Sequence, residues 1–174
     1  MVARLTLVLG GARSGKSRHA EALLEATSAN LIYLATATAR DAEMTARITQ
    51  HRQRRGDRWR TIEEPIAIAQ LLQKFSEQDA ALVDCLTLWL TNLMMAKRDI
   101  ETESTKLLDA LQASPASIVL VSNEVGLGGV SMNAMARAFT DHAGILHQRI
   151  AAIADRVIFM AAGLPLILKS PASG

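Results

Sequence analysis

A single cysteine and only six aromatic side chains (two Trp, one Tyr, three Phe) stand out in this 174-residue chain for their scarcity. One cysteine makes no internal disulfide and no multi-cysteine metal site, which leads us to expect a reducing compartment, the cytoplasm. So few aromatics provide no row of stacking platforms of the kind that single-strand nucleic-acid binders use. No apolar run approaches the roughly 20 residues of a membrane span. The amino terminus enters a strand-like run at once, so no signal peptide is expected. Internal repeats, linkers and low-complexity tracts are also missing. A single domain over residues 1–174, long enough for a substantial core, is the expectation.

The chain has 19 basic and 17 acidic residues, a formal charge of +2. The surplus is local. Arg47, Arg52, Arg54, Arg55, Arg58 and Arg60 face one acid, Asp57, so this stretch carries +5 and the remainder −3. A general nucleic-acid binder is more broadly basic. A local anion site is the better reading.

Apolar patterning alternates between strand and helix periods. Thr6–Leu9, Leu31–Ala35, Ala80–Asp84, Ser117–Val121, Val157–Ala161 and Leu164–Leu168 read as strands, with Trp59–Ile62 a short edge strand. Helical patterns run over Lys16–Ala26, Asp41–Arg55, Ile66–Phe75, Leu86–Arg98, Glu101–Gln112 and Asn133–Ala154. The last has apolar residues at Met135, Phe139, Ala143, Leu146, Ile150 and Ile153, and Ser122–Met132 before it reads as a glycine-bearing loop. Strands separated by helices predict an α/β fold, a mostly parallel sheet with helices on both faces.

Gly10-Gly11-Ala12-Arg13-Ser14-Gly15-Lys16-Ser17 satisfies G-x-x-x-x-G-K-[ST] between a strand and a helix. Glycines let the chain curl so that successive N–H groups face phosphate oxygens at the positive end of the helix. Lys16 would bridge the β- and γ-phosphates, and the Ser17 hydroxyl would ligate Mg²⁺. Asp84 ends an apolar strand, which puts its carboxylate at the carboxyl edge of the sheet, where ligands bind. It would assist Mg²⁺ or a nucleotide hydroxyl, or else cap the following helix. Glu124 competes for the same task. Cys85 reads as a small buried side chain.

His51 lies in the predicted helix that carries the arginines. Arg47, Arg54 and Arg55 stand at i−4, i+3 and i+4, so three guanidinium groups share its face. Like charges keep its imidazole neutral and nucleophilic, and the arginines suit a triphosphate. Such a histidine is able to take a nucleotidyl group at the α-phosphate. Spacing alone equally describes a solvated arginine-rich face with an incidental histidine. His19, His142 and His147 read as exposed or capping residues.

Several blocks together carry a wider likeness: Gly10–Ser17 into Arg18-His19-Ala20-Glu21, Arg47–Arg52, Trp59–Glu63, Asp84–Thr87 with Thr91–Leu93, Ser122–Gly126, and Arg137–Ala151. In this order they resemble the bifunctional adenosylcobinamide kinase/adenosylcobinamide-phosphate guanylyltransferase family of cobalamin biosynthesis. The resemblance implies a P-loop NTPase with a RecA-like sheet. It implies phosphorylation of the aminopropanol hydroxyl of adenosylcobinamide by ATP or GTP, then transfer of GMP from GTP through a guanylylated histidine at His51. It implies nucleotide contacts at Gly10–Ser17, at Ala35, Thr36 and Ala37, at Arg52, Gln53, Arg54 and Arg55, and at Glu63 and Asp84. Mg²⁺ with the nucleotide, no tightly bound organic cofactor, no nucleic-acid partner and a homotrimer complete the expectation.

Overall fold

A computed structural model describes residues 3–27, 29–37, 56–129 and 131–171. The expected helix over Asp41–Arg55, with His51 and most of the arginines, lies outside the described residues. Strands β1 (Leu5–Gly10), β2 (Asn30–Ala35), β3 (Trp59–Glu63), β4 (Asp79–Asp84), β5 (Ser117–Asn123), β6 (Arg156–Ala161) and β7 (Leu164–Lys169) form one sheet in the order β3-β2-β4-β5-β1-β6-β7. All neighbours are parallel except β6 and β7, which pair antiparallel.

The helices are α1 (Lys16–Glu25), α2 (Ile68–Leu72), α3 (Leu86–Met95), α4 (Ile100–Ala113) and α5 (Ala134–Ile153). Period-2 alternation divides the core. On one face Val8, Leu31, Leu82, Val119 and Val121 pack with Ala20 and Leu24 of α1. On the other, Leu7, Ile32, Leu34, Val83 and Leu120 pack with α2 to α5 through Ile68, Leu86, Trp89, Leu93, Leu107 and Leu146. Central strands buried on both faces need the near-continuous apolar runs that mark them in the sequence.

Three expectations change. Strand β5 continues through Ser122 and Asn123 instead of entering a loop, because both residues still pair with β1. Helix α2 starts only at Ile68, since Glu64 Oε1 accepts from the N–H groups of Ile66 and Ala67 and holds that segment as a turn. Met135, assigned to the apolar stripe of α5, is 73% exposed in the first turn, beyond the reach of the sheet. Asn133 caps that helix, its Oδ1 accepting from the N–H groups of Met135 and Ala136.

Strand β7 adds six exposed residues at the edge next to β6, including Leu164, Leu166, Ile167 and Leu168. Its hairpin turn, Ala162-Gly163, has φ of 50° and 79°, the positive pair that a tight two-residue hairpin requires.

Candidate active site

Parallel pairing brings the ends of five strands to one edge. Ala35 is in register with both Glu63 and Asp84, Asp84 with Val121, and Gly10 with Asn123. The loop after β1 is built by close approach. A Cβ at Gly10 would stand 2.5 Å from the Met160 carbonyl oxygen and 2.7 Å from Ser14 Oγ, so only glycine fits. Gly15 is the N-cap of α1 in a left-handed conformation (φ 93°), and Arg13 between them also has a positive φ. The hairpin turn braces this loop from outside, the Gly163 N–H donating to the Ser14 carbonyl at 3.1 Å.

Lys16 is buried at the start of α1, and its ammonium donates to the Gly11 carbonyl and to Ser14 Oγ. Burial pushes its pKa down, while the Asp84 charge pushes back toward the ammonium form. Gly11, Ala12 and Arg13 are exposed, and Ser14, Gly15 and Ser17 half-buried, so the loop is open to a ligand. Ser17 lies in the first turn of α1, half-buried beside Lys16.

Asp84 ends β4 and accepts from the Tyr33 hydroxyl at 3.0 Å through Oδ2. It does not cap α3. Cys85 is the N-cap residue there and makes no side-chain capping bond. Thr36 ties the next strand end to this one: its hydroxyl donates to the Cys85 carbonyl and accepts from the Cys85 N–H, both at 2.8 Å. Thr36 is fully buried, and its own carbonyl accepts from Asn92 Nδ2 of α3. Only its neighbour Ala37 is half-exposed toward the edge. Glu63 is exposed at the end of β3. His51, Arg52, Gln53, Arg54 and Arg55 are outside the described residues.

Sequence patterning did not show the side-chain partners at the end of β5. Asn123 Nδ2 donates to Thr87 Oγ1 at 3.2 Å, and Thr87 Oγ1 is 3.1 Å from Cys85 Sγ. Burial pushes the Cys85 thiol pKa up, so this sulfur is a neutral neighbour. Glu124 is occupied elsewhere: its N–H donates to the Gly10 carbonyl, and its two carboxylate oxygens accept from the N–H groups of Gly126 and Leu127. It braces the loop after β5. His147 is neither exposed nor capping. It is 8% exposed beneath the strand end, with Nε2 2.7 Å from Ser122 Oγ. Desolvation lowers its pKa despite the opposing Glu124 charge. No group of three or more His, Cys, Asp or Glu able to hold a metal occurs among the described residues.

A mostly parallel sheet with a glycine-built phosphate loop, a buried lysine behind it and an acid at the end of the strand two places away defines a P-loop NTPase of the RecA-like kind. Solved structures share this architecture. The flagellar accessory protein FlaH from Methanocaldococcus jannaschii matches 97% of the chain and 79% of its own (TM-score 0.54, 12% identity). The RadB recombinase matches 91% and 75% (TM-score 0.53, 13% identity). At those identities the likeness is one of fold.

The family is narrower. Residues 6–168 match the cobinamide kinase / cobinamide phosphate guanyltransferase family, and the chain belongs to it. It is 50% identical over 166 residues to the bifunctional adenosylcobalamin biosynthesis protein CobP of Pseudomonas aeruginosa, covering 94% of this chain and 96% of that one. It is 39% identical to the corresponding CobU of Escherichia coli K12, covering 95% and 99%. Among the described residues no helix is long and apolar enough to cross a membrane.

Proposed function

We propose that the whole chain acts as one nucleotide-binding domain that performs both family reactions on adenosylcobinamide. In the first, the aminopropanol hydroxyl attacks the γ-phosphorus of ATP or GTP and the nucleoside diphosphate leaves. In the second, His51 attacks the α-phosphorus of GTP and releases pyrophosphate. The phosphate of adenosylcobinamide phosphate then takes the GMP and frees the histidine. The observation that carries this reading is the buried Lys16 ammonium over the phosphate loop, within the field of Asp84.

Each residue has a physical task. N–H groups of Gly11–Ser17 hold phosphates, Lys16 neutralises charge developing on the γ-phosphoryl group, and Gly10 lets the loop lie against β6. Arg52, Gln53, Arg54 and Arg55 receive the triphosphate around His51, as Ala35, Thr36, Ala37, Glu63 and Asp84 receive the rest of the nucleotide. Thr36 acts indirectly, by tying β2 to β4: its hydroxyl is committed to Cys85, its N–H to the Asp84 carbonyl and its own carbonyl to Asn92. Mg²⁺ suits Ser17 and Asp84, a donor set with at most one carboxylate, because Mg²⁺ keeps waters and phosphate ligands. Bound there, it would offset phosphate charge. No organic cofactor is required.

We place the enzyme in the cytoplasm, as a homotrimer. The apolar, exposed β7 supports association, since an apolar strand with one unpaired edge is otherwise a liability. We propose no nucleic-acid partner, and a low-salt gel shift with DNA and RNA should show no complex. The decisive test is labelled GTP with wild type and His51→Ala, followed by denaturation and gel analysis. A base-stable, acid-labile GMP adduct is expected on wild type alone. Undiminished label on the variant would overturn the role of His51.

A further inference from the structure

The functional reading leaves Asn123 and Thr87 without a task, although both stand at the reactive edge. Gly10, the first residue of the phosphate loop, pairs in register with Asn123, and Asp84 pairs two residues earlier on the same strand. Strand β5 therefore lies between the strand that carries the loop and the strand that carries the acid. Alternation along β5 sends Val119 and Val121 to the face covered by α1. Asn123 continues that set, on the side where the loop and Lys16 lie. Ser122, one residue earlier, turns to the opposite face and meets His147.

The Asn123 amide is oriented. Its Nδ2 donates to Thr87 Oγ1, and Thr87, buried in the first turn of α3, is held against the buried Cys85 thiol. With Nδ2 engaged behind it, the amide keeps its carbonyl oxygen as an acceptor. An acceptor beside a γ-phosphate does not suit a phosphate oxygen, which offers no proton to share. It suits a hydroxyl.

We propose that Asn123 orients the acceptor hydroxyl for phosphoryl transfer, its Oδ1 accepting the hydroxyl hydrogen bond, and that Thr87 positions the amide. This rests on the kinase reading above. The hydroxyl oxygen forms its bond to the γ-phosphorus as the bond to the β,γ-bridging oxygen breaks. The nucleoside diphosphate leaves with that electron pair, and the hydroxyl proton passes to an oxygen of the transferred phosphoryl group and on to solvent. Asn123 takes no proton. It supplies alignment, which governs how often the oxygen meets phosphorus in line and how often water does so instead.

The test follows both fates of the γ-phosphate, transfer to adenosylcobinamide and release as inorganic phosphate, with nucleotide affinity measured alongside. For Asn123→Ala the kcat of transfer should fall by about 100-fold, the scale of a misaligned reactant. Hydrolysis should fall far less, so the ratio of transfer to hydrolysis drops at least about tenfold, and nucleotide Kd should stay within about threefold. Thr87→Val should lower that ratio in the same direction, and Thr87→Ser, which keeps the hydroxyl, should restore it. Equal losses of transfer and hydrolysis, a parallel rise in nucleotide Kd, or no difference between Thr87→Val and Thr87→Ser would overturn the assignment. A wild-type enzyme that forms the GMP adduct but transfers no phosphoryl group would overturn the kinase reading, and the role of Asn123 with it.

Discussion

The Tyr33 hydroxyl donates to Asp84 Oδ2 at 3.0 Å, across the pairing of β2 with β4. The acid at the strand end is thus held by a tyrosine two residues from the end of the neighbouring strand. Tyr33 is buried and its ring meets Trp59 edge-on, centroids 6.4 Å apart, so the phenol has little freedom. For Tyr33→Phe we expect about 1 kcal/mol of lost stability, the net worth of one such hydrogen bond. Phosphoryl transfer should fall by roughly tenfold as the Asp84 carboxylate loses its orientation. Urea denaturation and steady-state kinetics check the two parts separately.

Lys16→Ala removes the cation over the phosphate loop. Phosphoryl transfer should drop by at least about 100-fold, on the scale of losing a preorganised charge-stabilising donor. The far-ultraviolet circular dichroism spectrum should be unchanged, because the substitution falls at the first residue of α1 and alanine is a strong helix former. Activity within a few-fold of wild type would show that the γ-phosphate is held elsewhere.

Gly10→Ala tests the close approach of the loop to β6. The added methyl would sit 2.5 Å from a backbone carbonyl, which cannot swing aside as a flexible side chain does. Overpacking of this kind costs about 1–3 kcal/mol. A lower urea midpoint is expected, together with weaker nucleotide binding in a titration.

His147 predicts a pH dependence of stability. Burial holds its folded pKa below the ordinary histidine value of 6.5, and His19 is shifted the same way by burial and by Arg156. The unfolded chain therefore binds more protons as pH falls through 6.5, and the folded state loses stability from there down to the folded pKa. Above 6.5 this contribution is fully present. His147→Gln keeps a partner for Ser122 without the titrating ring, so its stability should fall less between pH 7.5 and 5.5 (values of about this spacing bracket the transition). Identical pH profiles for wild type and variant in urea melts would refute the assignment.

How far the sequence reaches differs from residue to residue. The phosphate loop is contiguous, and its eight residues carry both its conformation and its chemistry, so Gly10, Gly15 and Lys16 were readable directly. The central strands were readable because burial on both faces leaves unbroken apolar runs. Asn123 was visible only within the Ser122–Gly126 block of the resemblance, with no single role: a polar residue ending an apolar strand looks like the start of a loop, and only pairing with Gly10 shows it to be strand. His147 was hidden because its partner Ser122 is 25 residues away, beyond any helical or strand period. Thr36 was placed among the nucleotide residues by resemblance, and its full burial against Cys85 appears only once β2 and β4 are side by side.

The sequence by itself determined the phosphate loop, the α/β alternation, the concentration of arginines around His51 and the family, because each is written in neighbouring residues or in their period. Tertiary structure decided which polar side chains meet at the sheet edge. Parallel pairing aligns the strand ends of residues 10, 35, 63, 84 and 123, and the connecting helices separate those ends along the chain. No local pattern records that meeting. Tyr33 with Asp84, and Asn123 with Thr87, exist as pairs only through the order of the strands.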